Sequence, residues 1–521
     1  MIINRTVGAG GGSIAQYVEL TSTMRVGPES SGADPGPACY GKGGNEATVT
    51  DANVVLGYLP DKLLGGDFPL DIAAARIAVE KIAKQMGLSI DETAQGIYNL
   101  VNEKMYNALR NVSVEQGYNP EDFSLVAFGG AGPLHANAVG KLLGAWPVIV
   151  PIAPGVLCAQ GDATTKLSHE QSISYIKILT DATKKGIFDA LSELKTSCQD
   201  VVLKALNQPS SLKVDYEADL RYKGQALTMS IPLLVEDFGL DSLNFIETIK
   251  ERFHAAHEQQ YSFCLPDFEL EIMRLGAIVT DDSADVELNS IGIAPLGSIL
   301  TPPQDAIISR KVISTDGKRM EAIFWDRSKI TKAGYKVQGP CVISEMDSNT
   351  LVLPGFYGEI DSYGNILIFP DDDTKLTSNI AHHDWESAQN LVQKSPLIPT
   401  LISSSLQSIR NEMDTLMLRC SMSPAIRDQQ DEFNVITNKK GQMLVGQFGS
   451  FITQFLQSWK GTIEEGDVFV TNDVYETSGA ISHLNDVIVL LPIHYKGDLV
   501  GWAANFGHMT YVVFRSFNVM N

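Results

Sequence analysis

Positive charge is in short supply. The 521 residues carry 40 Lys and Arg against 62 Asp and Glu, a net charge of −22. A polyanion-binding protein needs a basic face. No basic run or aromatic–basic alternation supplies one, so neither nucleic acid nor an anionic membrane is an expected partner. Cysteine is also sparse. Cys39, Cys158, Cys198, Cys264, Cys341 and Cys420 are scattered, with no Cys-x-x-Cys pair. That argues against a disulfide scaffold and a thiolate zinc site, and for a reducing compartment. No apolar run reaches the roughly 18–20 residues that span a bilayer. The opening MIINRT lacks the apolar core of a signal peptide. The expected location is cytoplasmic.

What is present is ordinary globular material. Hydrophobic residues make up 44%, enough for large cores, and the length suggests about two to four domains. The first 60 residues are rich in Gly and Pro, and SSGADPGPACYGKGG (30–44) is not helical. LDIAAARIAVEKIAKQMG (70–87) has helical spacing. Ser89 and Glu92 then form a capping box ahead of a stripe at Ala94, Ile97, Val101, Ala108 and Val112. SLVAFGGAGPLHANAVGKLLG (124–144) predicts a buried strand from Leu125 to Phe128, a glycine turn and a helix. The strand PVIVPI (147–152) follows. Strand–helix–strand alternation indicates an α/β domain. After a helix near 184–206 the chain turns strand-rich to about 370, with a short helix near 246–261. PDDDTKLTSNIAHHDWES (370–387) reads as a linker, and 400–422 as helical.

GAGGGSIA (8–15) and FGGAGPLHA (128–136) are one physical device used twice. Glycines let backbone N–H groups crowd round an anion, and a helix N-terminus adds partial positive charge. Each loop alone is equally well explained by close backbone packing. A different chemistry is offered near the end. His483 and Asp486 stand three positions apart, and His508 follows a strand pair. Imidazole with carboxylate suits Zn, Mn or Fe. Histidines hydrogen-bonded at turns are the competing reading. Cys39 reads as a buried thiol, His254 and His257 as surface or packing residues, and His382-His383 as solvated linker.

Taken in order, GAGGGSIA, MRVGPESSGADPGPACYGKGG, TVTDANVVLG and FGGAGPLHA resemble the second half of the hydantoinase A/oxoprolinase family. DLRYKGQ (219–225) and GPCVISEMDSNTLVLPG (339–355) resemble its β-rich C-terminal part. SPAIRDQQDEFN (423–434), GDVFVTNDVY (466–475), GAISHLNDV (479–487) and GHM (507–509) resemble the start of the partner hydantoinase B family.

The resemblance implies an α/β architecture in three parts. Residues 1–175 would be the second lobe of an actin/sugar-kinase-like, ribonuclease H-like ATPase. Residues 176–370 would be a β-rich domain. After a linker at 371–398, residues 399–521 would be part of an α+β hydantoinase B-type domain. Gly10, Gly11, Gly12, Gly129 and Gly130 would line the phosphates of ATP, with its Mg. His483, Asp486, His508 and Asp431 would hold a divalent Zn, Mn or Fe, with Glu432 an alternative to Asp431. Arg427 and Asp473 would be supporting polar groups, or equally a surface ion pair and a turn cap. The family's early GIDxGGTFTD-like strand-turn is not found, Val474 replaces a usual proline, and Tyr511, Val512 and Val513 stand where the family has Asp and Gly-Gly. A form truncated at both ends is therefore expected. The implied activity is ATP-dependent hydrolysis of a cyclic amide or carboxylation of a ketone, in a homo-oligomer. An inactive fragment serving as a scaffold is the alternative.

Overall fold

The computed structural model describes residues 6–20, 23–114, 118–206, 211–225, 228–239, 241–282, 300–371, 385–394, 397–446, 451–475, 477, 481–509 and 518–520. It is a mixed α/β structure built as two compact units. One comprises residues 1–114, 119–165 and 286–402; the other comprises 115–118, 166–285 and 403–521. The stretch 176–370, read from sequence as one β-rich part, is thus shared between both units.

The first unit begins with an antiparallel hairpin, Ser13–Val18 with Thr23–Ser30. The helix Val49–Val55 is started by Thr48 and Asp51, a full capping box. Asp51 does more than cap. Its carboxylate also accepts the N–H groups of Ala38 (3.2 Å) and Cys39 (2.8 Å), tying down the Pro/Gly-rich loop. The helix Ile72–Met86 ends at Gly87, whose φ of 68° is the left-handed cap that glycine adopts freely. Ser89 and Glu92 cap Ile90–Ser113 as the sequence indicates. Such a cap stabilises by about 1 kcal/mol. On that helix Ala94, Ile97 and Val101 are buried, while Ala108 and Val112 are half-buried.

Strand Leu125–Val126, helix Gly132–Leu143 and strand Val148–Val150 form a β–α–β unit with parallel pairing. The expected buried strand through Phe128 is corrected here. Only two residues are extended, they lie at the edge of a five-stranded sheet, and Val126 and Phe128 are exposed. The inner neighbour Val148–Val150 pairs with Ile366–Pro370, so strands from 300–370 complete the sheet begun near residue 125. A second, four-stranded sheet (Ile307–Thr315, Lys318–Asp326, Cys341–Ser344, Asn349–Val352) shares the same hydrophobic core.

The second unit holds two sheets. Ser168–Ile178, Leu270–Asp281, Leu212–Tyr222 and Met229–Leu233 form one, in that order. Helices Lys184–Ala205 and Ser242–Tyr261 pack on it through Leu191, Phe245 and Phe253. The second of these begins four residues earlier than expected, at Ser242, because Asp241 caps it. His257 is buried between Gln225 and the Phe263 carbonyl, and His254 bonds Tyr222, so both are packing residues. The other sheet, of six strands, contains Glu432–Asn438, Asp498–His508 and Asp486–Tyr495 side by side around buried Trp502, Phe469 and Phe455. Helices also occupy Trp385–Lys394 and Leu397–Cys420. The remaining linker residues 372–384, with His382 and His383, and the segment 510–517 with Tyr511, Val512 and Val513, lie outside the described residues. Among the described residues no helix is long and apolar enough to cross a membrane.

Candidate metal centre and glycine-lined cavity

The His/Asp/His set is built by one hairpin. Strand Asp486–Tyr495 returns as Asp498–His508 through Lys496 (φ 52°) and Gly497 (φ 85°). Two successive positive φ values are the signature of a two-residue turn matched to strand twist. A bulge between Ile493 and His494 then shifts the register, which leaves Asp486 directly opposite His508. His483 is brought in from the preceding turn, where Asp486 N–H donates to the His483 carbonyl at 3.1 Å.

The three side chains converge. His508 Nδ1 lies 2.7 Å from Asp486 Oδ1, and His483 Nδ1 lies 3.3 Å from Asp486 Oδ2. The His483 backbone N–H also donates to Asp486 Oδ2, at 3.1 Å. One donor atom from each residue falls within 4.8 Å of the others. Asp486 is only 3% exposed, His508 is partly covered, and His483 is open to solvent. A buried carboxylate flanked by two imidazoles, one of them at the surface, is a fitting donor set for a borderline divalent cation.

Asp431 stands beside this group. Its carbonyl accepts the His508 N–H at 3.1 Å, and its Oδ2 is 3.8 Å from His508 Nδ1. Glu432 points elsewhere, toward Asn434 and the Arg410–Asp414 pair. Burial, with the Asp414 charge second, pushes its carboxyl up to about 7. Arg427 forms an ion pair with Asp428 at 2.8 Å and donates to the Gly224 carbonyl. Asp473 accepts the Tyr475 N–H at 2.8 Å as a turn cap. Neither belongs to the converging set.

The glycine loops meet in the first unit around a cavity of about 400 Å³. Gly11, Gly12 and Gly130 line it, with Ala131 at the start of the Gly132–Leu143 helix. No side chain caps that helix. Gly11 and Gly12 are closely approached by side-chain hydroxyls, whereas Gly10 and Gly130 have room for a Cβ. A Cβ on Gly11 would come within 2.7 Å of Thr50 Oγ1, and one on Gly12 within 2.8 Å of Ser30 Oγ. Gly10 and Gly129 do not line the cavity. Gly10 N–H is taken by Ser13 Oγ (3.0 Å), and Gly129 N–H by the Pro154 carbonyl (2.7 Å). They shape the loops instead. Cys39, close by, is fully buried, and burial together with the Asp51 carboxylate pushes its thiol far up, so it is inert.

Three cavity residues were not singled out from sequence: Asn53, Asp347 and Asn349. The signal was in hand, since they lie in TVTDANVVLG and GPCVISEMDSNTLVLPG. Asn53 is oriented from behind. His135 Nδ1 is 2.7 Å from Asn102 Oδ1, an acceptor, so Nδ1 carries the proton. Nε2 must then accept, and it meets Asn53 Nδ2 at 3.3 Å. With its amide nitrogen engaged, Asn53 keeps a buried, unpartnered Oδ1. Burial pushes His135 down to about 4, which keeps the ring neutral and the relay fixed.

Residues 1–171 match the hydantoinase/oxoprolinase family model, and residues 395–512 match the hydantoinase B/oxoprolinase model. The first segment belongs to the one family and the second to the other. The caprolactamase subunit alpha of Pseudomonas jessenii is 33% identical, over 71% of this chain and 53% of its own length. The 5-oxoprolinase 1 of Arabidopsis thaliana is 29% identical, over 96% of this chain and 40% of its own. The crystal structure of the ATP-dependent caprolactamase from Pseudomonas jessenii superposes with a TM-score of 0.61 at 33% identity, covering 70% of this chain and 52% of that one. A nucleotide-free acetone carboxylase shares the fold at TM-score 0.52 and 24% identity. The chain therefore spans about half or less of the length of these relatives. The metal-type cluster lies in the hydantoinase B segment, and both glycine loops lie in the hydantoinase/oxoprolinase segment.

Proposed function

We propose that this chain belongs to an ATP-dependent enzyme that activates a cyclic amide by phosphorylation and completes ring opening at a metal centre. The observation that carries it is the convergence of His483, Asp486 and His508 in a chain that also holds a glycine-lined cavity beneath an uncapped helix. The relatives named 5-oxoprolinase, which match this chain across both segments, favour a cyclic amide as substrate. Residues 1–175 would then act as the second lobe of an actin/sugar-kinase-like ATPase.

The chemistry follows from the bond to be broken. An amide carbonyl resists attack by water, and its oxygen is a poor leaving group. Transfer of the γ-phosphoryl group of ATP to that oxygen releases ADP and leaves an activated imidate phosphate. Water then adds at the imidate carbon, the ring C–N bond of that adduct breaks to release the amine and leave an acyl phosphate, and a second water hydrolyses the acyl phosphate to carboxylate and phosphate. Gly11, Gly12 and Gly130 with the Gly132–Leu143 helix receive the nucleotide phosphates, while Gly10 and Gly129 hold the two loops in shape. His483, Asp486 and His508, with Asp431 at the side, hold the divalent ion, Zn, Mn or Fe. When bound, the ion supplies Lewis acidity. Asp486 fixes both imidazoles through their Nδ1 atoms, and both rings must be neutral to serve as ligands.

Elemental analysis tests this directly. Wild type should retain a transition metal after dialysis, and Asp486→Ala and His483→Ala should each lose most of it. Equal metal in all three would refute the centre. Turnover of a ketone with bicarbonate, and of no cyclic amide, would reassign the substrate.

A further inference from the structure

The DLRYKGQ turn (219–225) and Arg427 belong to neither site, yet they are bonded to each other: Arg427 Nη1 donates to the Gly224 carbonyl. Both lie in the second unit, as does the histidine centre. The turn is held more firmly than a surface turn needs to be. Gly224 takes a φ of 99°, which glycine adopts at no steric cost. Tyr222 is fully buried; its hydroxyl accepts the Leu265 N–H at 2.8 Å and meets His254 Nδ1 at 2.6 Å. Gln225 is also buried and is engaged at both ends of its amide. Its Oε1 accepts the Tyr222 N–H at 3.3 Å. Its Nε2 donates to His257 Nε2 at 3.0 Å, and that ring is itself fixed, because His257 Nδ1 donates to the Phe263 carbonyl at 2.7 Å. The carbonyl that Arg427 bonds is therefore held in place by a buried network.

Arg427 sits at the middle of a clip that grips one residue of the histidine centre. The short helix Pro424–Gln429 runs between Ser423 and Asp431. Ser423 Oγ donates to the His508 carbonyl at 2.8 Å, and the Asp431 carbonyl accepts the His508 N–H at 3.1 Å. The two ends of the clip thus take both backbone polar groups of His508. Between them Ile426 lies on Gly507, where a Cβ would come within 2.7 Å of Ile426 Cδ1. Met422, one residue ahead of the clip, packs on the core around Tyr222. The ion pair of Arg427 with Asp428 does not explain this arrangement. The Asp428 side chain is 58% exposed, and exposed pairs contribute little.

We propose that Arg427 is a positioning residue for the histidine centre: by bonding the Gly224 carbonyl it ties the Ser423–Asp431 clip, and through it His508, to the 222–225 turn. This rests on the reading of His483, Asp486 and His508 as a metal centre. It gives DLRYKGQ, which lies between the two family-matched stretches, a task in the second of them. What the anchor supplies is a His508 ring held opposite Asp486. Removing a contact that orients a ligand from outside typically costs about ten- to a hundredfold in metal affinity.

Cobalt titration of the full chain tests this, with affinity read by chelator competition and ligand geometry by the visible d–d absorption of bound Co²⁺. Arg427→Ala should bind Co²⁺ about tenfold more weakly than wild type and with an altered d–d spectrum. Asp428→Asn removes only the ion pair and should match wild type in both. Ser423→Ala deletes one hydroxyl at the other end of the clip and should weaken Co²⁺ binding by a similar factor, so the test does not depend on Arg427→Ala folding. The double variant should lose less than the product of the two single losses, since both act on one chain of contacts. Independent, multiplying losses would overturn the link from Arg427 to His508. A loss in Asp428→Asn equal to that in Arg427→Ala would overturn the anchor in favour of the ion pair. Wild-type affinity and spectrum in Arg427→Ala or in Ser423→Ala would overturn it while leaving the metal centre intact. No Co²⁺ binding by wild type would overturn the metal centre, and the anchor with it.

Discussion

Acidification should act on this protein through one buried ring. His135 is 1% exposed and stacks on Tyr98 with ring centroids 5.0 Å apart. Burial pushes its pKa from 6.5 down to about 4. The sign follows from which state binds the proton first. As pH falls below 6.5 the unfolded chain takes up a proton at this ring while the folded chain does not, until about pH 4. The stability that the neutral ring carries is therefore full above 6.5 and is lost progressively between 6.5 and 4. A shift of that size corresponds to roughly 3 kcal/mol at most. The test compares urea unfolding of wild type and His135→Gln at about pH 7.5 and about pH 4.5. Glutamine offers a donor and an acceptor but does not titrate. The variant can be less stable throughout. What matters is that its stability should change less on acidification, since contributions from all other groups cancel in the comparison. Parallel pH dependences would refute the argument. They would mean that the ring accepts a proton in the folded state at little cost, and the tautomer logic that orients Asn53 would fall with it.

Glu345 should act in the opposite direction: burial pushes its carboxyl from 4.5 up to about 7, so stability should decline as pH rises through that window, by at most about 1.4 kcal/mol per pH unit. Glu345→Gln should flatten the decline in the same urea series. Trp502→Ala, at a fully buried ring packed on Phe455 and Phe469, should cost about 3–5 kcal/mol by denaturant unfolding. Gly339→Ala should cost about 3 kcal/mol, because its Cβ would come within 2.1 Å of the Leu353 carbonyl, which is backbone and has little room to yield.

Local structure was legible because local chemistry determines it. Ser89 with Glu92, and the Gly87 stop, lie within one helical turn of what they control, and both appear where the residues indicate. The β–α–β unit around FGGAGPLHA was legible for the same reason. Partners distant in sequence were not. Nothing in PVIVPI announces that Val148–Val150 will pair with Ile366–Pro370, more than two hundred residues on, so the division of 176–370 between two units was invisible. The strand at Leu125 misled because apolar composition does not by itself mean burial. At a sheet edge, Val126 and Phe128 keep their apolar character and still face outward. Asn53 and Asp347 were passed over because an amide or a carboxylate in a loop looks like a turn residue until its hydrogen bonds are counted. They stand out only as acceptors that the fold leaves without donors.

The histidine centre shows how far a motif carries before geometry takes over. His-x-x-Asp followed by a strand return indicates proximity, but proximity in a hairpin is decided by register. Without a bulge, the turn at Lys496-Gly497 would set Asp486 opposite Gly507. The extra residue, Val500, moves the pairing by one, so Asp486 meets His508 instead. A one-residue slip along a strand also exchanges its two faces, so a hairpin without the bulge would carry the His508 ring away from the carboxylate. The sheet holds the register from its other side. Strand Glu432–Asn438 pairs with Asp498–His508 without interruption from Glu432–Gly507 to Asn438–Gly501, and the His508 N–H donates to the Asp431 carbonyl. Asp431 therefore reaches the cluster through its backbone, whether or not its side chain joins as a ligand. The position of the centre is thus a property of three strands and one bulge, and its donor types are a property of four residues.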